Sequence, residues 1–263
     1  MSQKSQTRKF SYGWVRSLPD IRDKKYNAVH EFAALPPLVD LRPKCPPIRD
    51  QSDLGCCVGF GTTGVVHYDT INENPKDTFD PSPLYVYYNA RYLENTVKSD
   101  SGAQIRDGIK ALKKYGCASE TDWPYNIKQF AKKPPKTVFT NALKIQIQDY
   151  FSVQQNEAAM KSCLAEGHPI VLGISVYESF ESDAVAMTGI VPMPNPSENL
   201  MGGHCVVVVG YRDADKKWIM RNSWGNTWGD KGYFYLDYSY LLHPDLASDF
   251  WTIRFVKHLK LSA

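Results

Sequence analysis

The chain has 263 residues, of which 43% are hydrophobic and 22% charged, and its formal net charge is +3. That length accommodates one large core or two smaller domains sharing an interface, and the composition excludes a disordered chain or a coiled coil. A charge this small, with no apolar run approaching the roughly 18 residues that span a bilayer, gives no reason to expect a nucleic-acid or membrane partner.

Residues 1–34 are polar, basic and irregular, and read as an extension ahead of the main domain. They lack the apolar core of a secretory signal, and no Asn-x-Ser/Thr acceptor with a permitted middle residue occurs. The six cysteines include no C-x-x-C pair. Reduced thiols in a non-secreted protein, cytoplasmic or packaged in a particle, are therefore expected, with no metal site and no cofactor. Within the extension, "FSYGWVRSLPD" carries Phe10, Tyr12 and Trp14, three large rings whose burial is favourable.

"LPPLVDLRPKCPP" (35–47) has five prolines and reads as extended chain. A helix is expected from Cys57 to about Asn72, although Gly59, Gly61 and Gly64 lower its propensity and require close packing. "SPLYVYYNARYLE" (82–94) and "AQIRDGIKALKKYG" (103–116) read as helices, the second with a stripe of Ile105, Ile109 and Leu112 and a Gly116 cap. "NEAAMKSCLAEG" (156–167) reads as a helix capped by Asn156.

Beyond it the period becomes that of strands, at 169–176, 204–212, 217–224, 232–238 and 250–256. Helices first and strands second argue for an α+β chain of two unlike parts, about 50–145 and 146–263, rather than an alternating sheet.

Chemistry gathers at "DQSDLGCCVGF" (50–60). Cys56 and Cys57 follow Gly55 at a loop-to-helix corner, where the helix dipole and free N–H groups favour a thiolate. Gln51 carries an amide able to donate to an oxyanion. The base candidate is His204, at a strand start after Gly202 and Gly203. His30, His67, His168, His243 and His258 lack such a setting. Asn222, beside Trp224 in "RNSWGNTWGDKGY", can accept from an imidazole and fix its tautomer under a sheltering indole.

Taken together, these residues resemble the papain family of cysteine peptidases. Pro36, Val39, Asp40 and Arg42 match the opening of its mature chains. Gln51, Cys57 and Phe60 match its nucleophile segment, and His204 and the Asn222–Tyr233 block match its later motifs. Counting from either Gln51 or Phe60 selects Cys57 as the nucleophile and leaves Cys56 to pack behind it.

The resemblance implies a helical left domain and a β-barrel-like right domain with the active-site cleft between them. It implies His204 as general base and acid, Asn222 as its orienter, and Gln51 with the Cys57 N–H as the oxyanion hole. Ser101, Gly102 and Ala103 stand where substrate backbone is held. Gly173, Gly203, Cys205, Trp224 and Trp228 match other substrate-binding positions. In the pocket for the side chain two before the cut, Ser248 or Asp249 lies near the base. Small Ala103 and Gly173 imply room for a large apolar or aromatic side chain, and an inward Asp249 would admit a basic one.

Departures also occur: Leu54 replaces a cysteine, Val58 an aromatic, and "SDSGA" (99–103) the glycine-rich substrate loop. They resemble bacterial and giant-virus members with short prosegments. Family prosegments are much longer and run backward through the cleft. The expectation for residues 1–34 is a minimal inhibitory segment docked through Phe10, Tyr12 and Trp14.

The expected function is an endopeptidase acting on peptides or proteins through a thioester, as a monomer. Two other classes use the same residues: a catalytically silent papain-like scaffold, and a thiol acyltransferase or peptide ligase.

Overall fold

A computed structural model describes residues 10–28, 34–76 and 79–258. Residues 1–9 and 29–33 of the expected extension, with His30, lie outside the described residues.

Strand β1 (Leu38–Asp40) precedes the long helix α1 (Cys57–Glu73), which is followed by α2 (Pro83–Leu93) and α3 (Ile105–Tyr115). Helix α1 survives its glycines by close approach. A Cβ on Gly59 would lie 2.4 Å from the Pro83 carbonyl oxygen, and one on Gly61 would lie 2.7 Å from Cys205 Sγ. The lost propensity is thus offset by contacts that no larger residue allows. Helix α2 begins as its sequence dictates, with the Ser82 hydroxyl accepting from the Tyr85 N–H at 3.2 Å and Pro83 in the first turn. Helix α3 buries Ile105, Ile109 and Leu112 and ends at Gly116, whose φ is 74°.

After α4 (Lys136–Ala142) come β2 (Ile145–Ser152), α5 (Glu157–Ala165), β3 (Ile170–Tyr177) and α6 (Asp183–Thr188). Then follow β4 (Leu200–Arg212), β5 (Lys217–Arg221), β6 (Tyr233–Asp237), α7 (Tyr238–Leu242) and β7 (Ala247–His258). The strands form one antiparallel sheet in the order β2-β7-β3-β4-β5-β6, with β1 added to β4. Helices α1 to α4 thus precede strands β2 to β7, in keeping with the α+β expectation, while the shorter α5, α6 and α7 lie between strands. Among the described residues no helix is long and apolar enough to cross a membrane.

Three strand boundaries differ clearly from the sequence pattern. Strand β4 starts at Leu200 rather than 204, because Leu200, Gly202 and Gly203 already pair with β3, so His204 lies within the strand rather than at its start. Strand β5 ends at Arg221 rather than 224, because the Asn222 side-chain oxygen accepts the N–H of Ser223 at 2.8 Å, a local bond that competes with the ladder. Strand β7 starts earlier than 250, at Ala247, and continues through Asp249 at a φ of 59°. Its pairing with β3 shifts register between Val171 and Gly173. Strand β2 was not expected. Its "IQIQDYFS" nevertheless alternates, with Ile145 and Ile147 buried while Gln146 and Gln148 are not.

Candidate active site

The site forms where the first turn of α1 meets β4 and the loop after β5. Cys57 opens α1 and is fully buried, as is its neighbour Cys56. The two thiols have different surroundings. Cys56 Sγ donates to the Pro83 carbonyl at 3.6 Å, between α1 and α2. Cys57 occupies the helix N-terminus, where unpaired N–H groups favour a negative sulfur. The loop just before it is fixed by the Gly55 N–H, which donates to Asp100 Oδ2 at 3.0 Å, and the Tyr87 hydroxyl donates to the same carboxylate. All six cysteines are unpaired.

His204 and Asn222 meet at 2.8 Å, Nε2 to Oδ1, fully buried. The Ser223 N–H donates to that same Asn222 atom, which identifies the atom as the amide oxygen. His204 therefore carries its proton on Nε2, and Nδ1 is left as the lone pair. Nδ1 is buried with no hydrogen-bond partner. Trp224 stacks on the imidazole, 4.7 Å between centroids and 22° between planes, and is 1% exposed, so water is kept from the His204–Asn222 bond.

Gln51 is anchored to the same loop. Its backbone N–H donates to Ser223 O at 2.9 Å, and its side-chain oxygen accepts from the Ser223 hydroxyl at 2.6 Å. Nε2 must therefore face the other way. It donates to Leu54 O at 3.0 Å and Ser11 O at 3.1 Å.

Burial dominates the electrostatics. It pushes the Cys57 thiol up to about 11, against the backbone N–H groups of Cys205 and Gly13, which favour the thiolate. It pulls His204 down to about 4, against the Asn222 bond, which favours the charged ring. Between those values both groups are neutral.

The profile described as papain family cysteine protease matches residues 35–245. The chain belongs to the papain family. It is a cysteine peptidase, a hydrolase whose substrates are peptides or proteins.

A solved structure of xylellain, a cysteine protease from Xylella fastidiosa, is 37% identical, with a TM-score of 0.88 over 95% of this chain and 97% of that one. An uncharacterized peptidase C1-like protein of Acanthamoeba polyphaga mimivirus is also 37% identical, across 93% of this chain and 86% of its own length. Cysteine proteinase 3 of Entamoeba histolytica is 31% identical across 82% of this chain and 68% of its own length. A bacterial and a giant-virus relative are among these, in line with the departures noted at Leu54 and Val58.

In this papain-family chain the N-terminal segment lies along the site. The Trp14 N–H donates to Gly203 O at 2.9 Å, the Val15 N–H to Ala103 O at 3.0 Å, and the Ala103 N–H to Gly13 O at 2.8 Å. Trp14 and Ala103 thus pair in parallel. The backbone pairing falls on Ala103, while Gly102, at a φ of 71°, supplies the close approach. Gly13 sits against Gly55 so tightly that a Cβ on Gly13 would lie 1.8 Å from the Gly55 carbonyl oxygen.

Phe10 stacks on Trp224, 3.9 Å between centroids and 11° between planes, and the Tyr12 hydroxyl donates to Glu181. The Trp14 ring fills the space beside Gly173, where a Cβ would lie 1.9 Å from it, and its Nε1–H donates to Asp249 Oδ2 at 3.0 Å. Further along, Ser152 is bracketed by the segment, accepting from the Tyr26 N–H at 2.9 Å and donating to Lys24 O at 2.8 Å.

Not every matched residue lines the groove. Trp228 is 5% exposed and meets Trp224 edge-on at 5.0 Å, so it supports the wall from behind. The Cys205 thiol faces Gly61 of α1. The hydroxyl of Ser101 turns to Gly102 O at 3.3 Å.

Three residues have no place in the sequence pattern as site components, Ser223, Asp100 and Glu181, and of the pair Ser248 and Asp249 it is Asp249 that bonds Trp14. Ser223 stood inside the Asn222 block and Asp100 inside "SDSGA". Glu181 carries no local signal, since only the fold brings it to Tyr12.

Proposed function

We propose that this peptidase is an endopeptidase restrained by its own N-terminal segment. Cys57 is the nucleophile, His204 Nδ1 takes and returns its proton, and Asn222 holds the imidazole in the tautomer that leaves Nδ1 free. The thiolate attacks the scissile carbonyl, and the developing oxyanion is stabilised by Gln51 Nε2 and the Cys57 N–H. The C–N bond breaks as the imidazolium protonates the leaving amine. Water, deprotonated by the same imidazole, then hydrolyses the thioester.

The observation that carries the restraint is the seating of residues 10–17 over this machinery. Gly13 lies against Gly55, Ser11 O occupies the Gln51 donor, and Trp14 fills the neighbouring pocket. The parallel pairing at Ala103 agrees with the backward sense that the resemblance gives to prosegments. A chain laid so presents its peptide bonds in the wrong direction for attack. Catalysis is assigned to residues 35–263, with a mainly helical part at about 50–145 and a mainly strand part at 146–263, acting as a monomer.

Deleting residues 1–34 tests this, with circular dichroism confirming the fold. Peptidase activity and the rate of Cys57 labelling by an epoxide inhibitor are expected to rise. Unchanged activity together with unchanged inhibitor affinity would refute the restraint.

A further inference from the structure

The pocket holding Trp14 is walled on one side by residues with little or no side chain, Gly173, Ala103 and Gly203, which leaves room for a flat ring. At its far end stands the carboxylate of Asp249. Asp249 Oδ2 accepts from the indole Nε1–H at 3.0 Å and from the Ser17 N–H at 2.8 Å. Both donors belong to the N-terminal segment. When the segment leaves, a secluded carboxylate loses both partners, and an unpaired acceptor in such a place is costly.

Arg106 lines a cavity together with Asp249 and Ser17. Its guanidinium is held by Asp23 at 2.6 Å and Leu18 O at 2.8 Å, again groups of the segment. Burial pushes the Asp249 carboxyl above its ordinary value, opposed by the bonds from Ser17 and Trp14 and by the charge of Arg106. Once the segment is displaced, a second cation entering this pocket would meet Arg106 as well as Asp249. A neutral donor meets no such repulsion.

We propose that Asp249 is a specificity-determining residue that reads one neutral N–H donor on a large flat side chain, so that the preferred residue two before the scissile bond is tryptophan. Trp14 is then an internal copy of the side chain the pocket selects. This rests on the proposed reading that substrates enter the groove now filled by residues 10–17. It departs from the expectation of a basic side chain, because Arg106 lines a cavity with the same Asp249.

Two measurements on the full-length chain test it. In the first, Cys57 alkylation reports opening of the groove in a cycle of Trp14→Phe, Asp249→Gly and the double variant. Glycine suits the φ of 59° at this position, and Asp249→Asn serves as a conservative control for folding. Each single variant is expected to raise the labelling rate by about tenfold to a hundredfold, the range for a hydrogen bond to a charged acceptor, and the double variant no further. Additive effects would overturn the proposal.

In the second, the chain carrying Trp14→Ala is offered peptides differing only at the second residue before the cut. Tryptophan is expected to exceed phenylalanine, N1-methyltryptophan, lysine and arginine in kcat/KM by about tenfold or more, with the ratio collapsing when Asp249→Gly is added. Equal use of tryptophan and N1-methyltryptophan, or a preference for lysine or arginine, would overturn it. Labelling of Cys57 without cleavage of any peptide would instead overturn the peptidase reading, and the alkylation cycle would still decide the role of Asp249.

Discussion

The Ser223 hydroxyl donates to the side-chain oxygen of Gln51 at 2.6 Å, while the Ser223 N–H donates to the side-chain oxygen of Asn222 at 2.8 Å. One residue thereby orients two amides, one toward the proposed oxyanion position and one toward the imidazole. Its hydroxyl acts only on the first. Ser223→Ala is therefore expected to lower kcat by about tenfold with little change in KM, less than the 10²–10³ that removal of an oxyanion donor costs in Gln51→Ala. The double variant should match Gln51→Ala alone. A normal kcat for Ser223→Ala would remove the hydroxyl from catalysis.

The adjacent thiols should separate cleanly. Cys57→Ala is expected to abolish hydrolysis and epoxide labelling. Cys56→Ala should keep both, because its Sγ only fills the space between α1 and α2, at a stability cost of about 1 kcal/mol by denaturant unfolding. Retained hydrolysis in Cys57→Ala would reassign the nucleophile.

The protonation of the pair should report the covering segment. Burial holds the Cys57 thiol near 11 and His204 near 4, so alkylation of the full-length chain is expected to be slow at neutral pH and to climb toward pH 11. For Trp14→Ala, which loosens the segment, the profile should move toward neutral pH as water reaches both charged forms. His204 acts through its lowered value. Its contribution to the closed state is complete above the ordinary imidazole value of 6.5 and is lost as pH falls toward 4, so acid favours opening. Superimposable alkylation profiles for the two chains would contradict this.

A separate titration lies on α1. Asp69 is buried with Oδ2 lacking a hydrogen-bond partner, and burial, then Glu73, push its carboxyl up to about 8 against the pull of Arg254. The folded chain thus holds a proton that the unfolded chain releases near 3.8, and stability falls as pH rises from there through about 8. Asp69→Asn removes the ionisation, so its Tm advantage over the natural chain should grow between pH 5 and about 9. An advantage independent of pH would show that Asp69 does not titrate in this range.

Cys57, His204 and Asn222 stand out as candidates in the sequence because each lies in a short local pattern whose glycines and tryptophans report the backbone around it. The helices of the first half were equally plain, since Ser82, Asn156 and Gly116 are local caps. The end of β5 was misplaced because apolar content continues through Trp224, while the side-chain bond of Asn222 that stops the ladder has no period. Strand β2 lacks the apolar run of the central strands, although Ile145 and Ile147 alternate with Gln146 and Gln148. Glu181 and Arg106 have no local signal for their roles, since Glu181 meets Tyr12, and Arg106 meets Leu18 and Asp23, only where the N-terminal segment folds back on the chain.

The bracketing of Ser152 by Lys24 and Tyr26 fixes the segment a second time, well beyond the groove. On the proposed reading, the inhibitor is held in cis at an effective concentration on the order of millimolar. Its intrinsic affinity for the groove can then be poor and still keep the site closed. A single cut anywhere between Tyr26 and β1 would turn that tethered ligand into a free peptide, diluted by the whole surrounding volume. Activation by such a cut would run in one direction without any change in the groove itself.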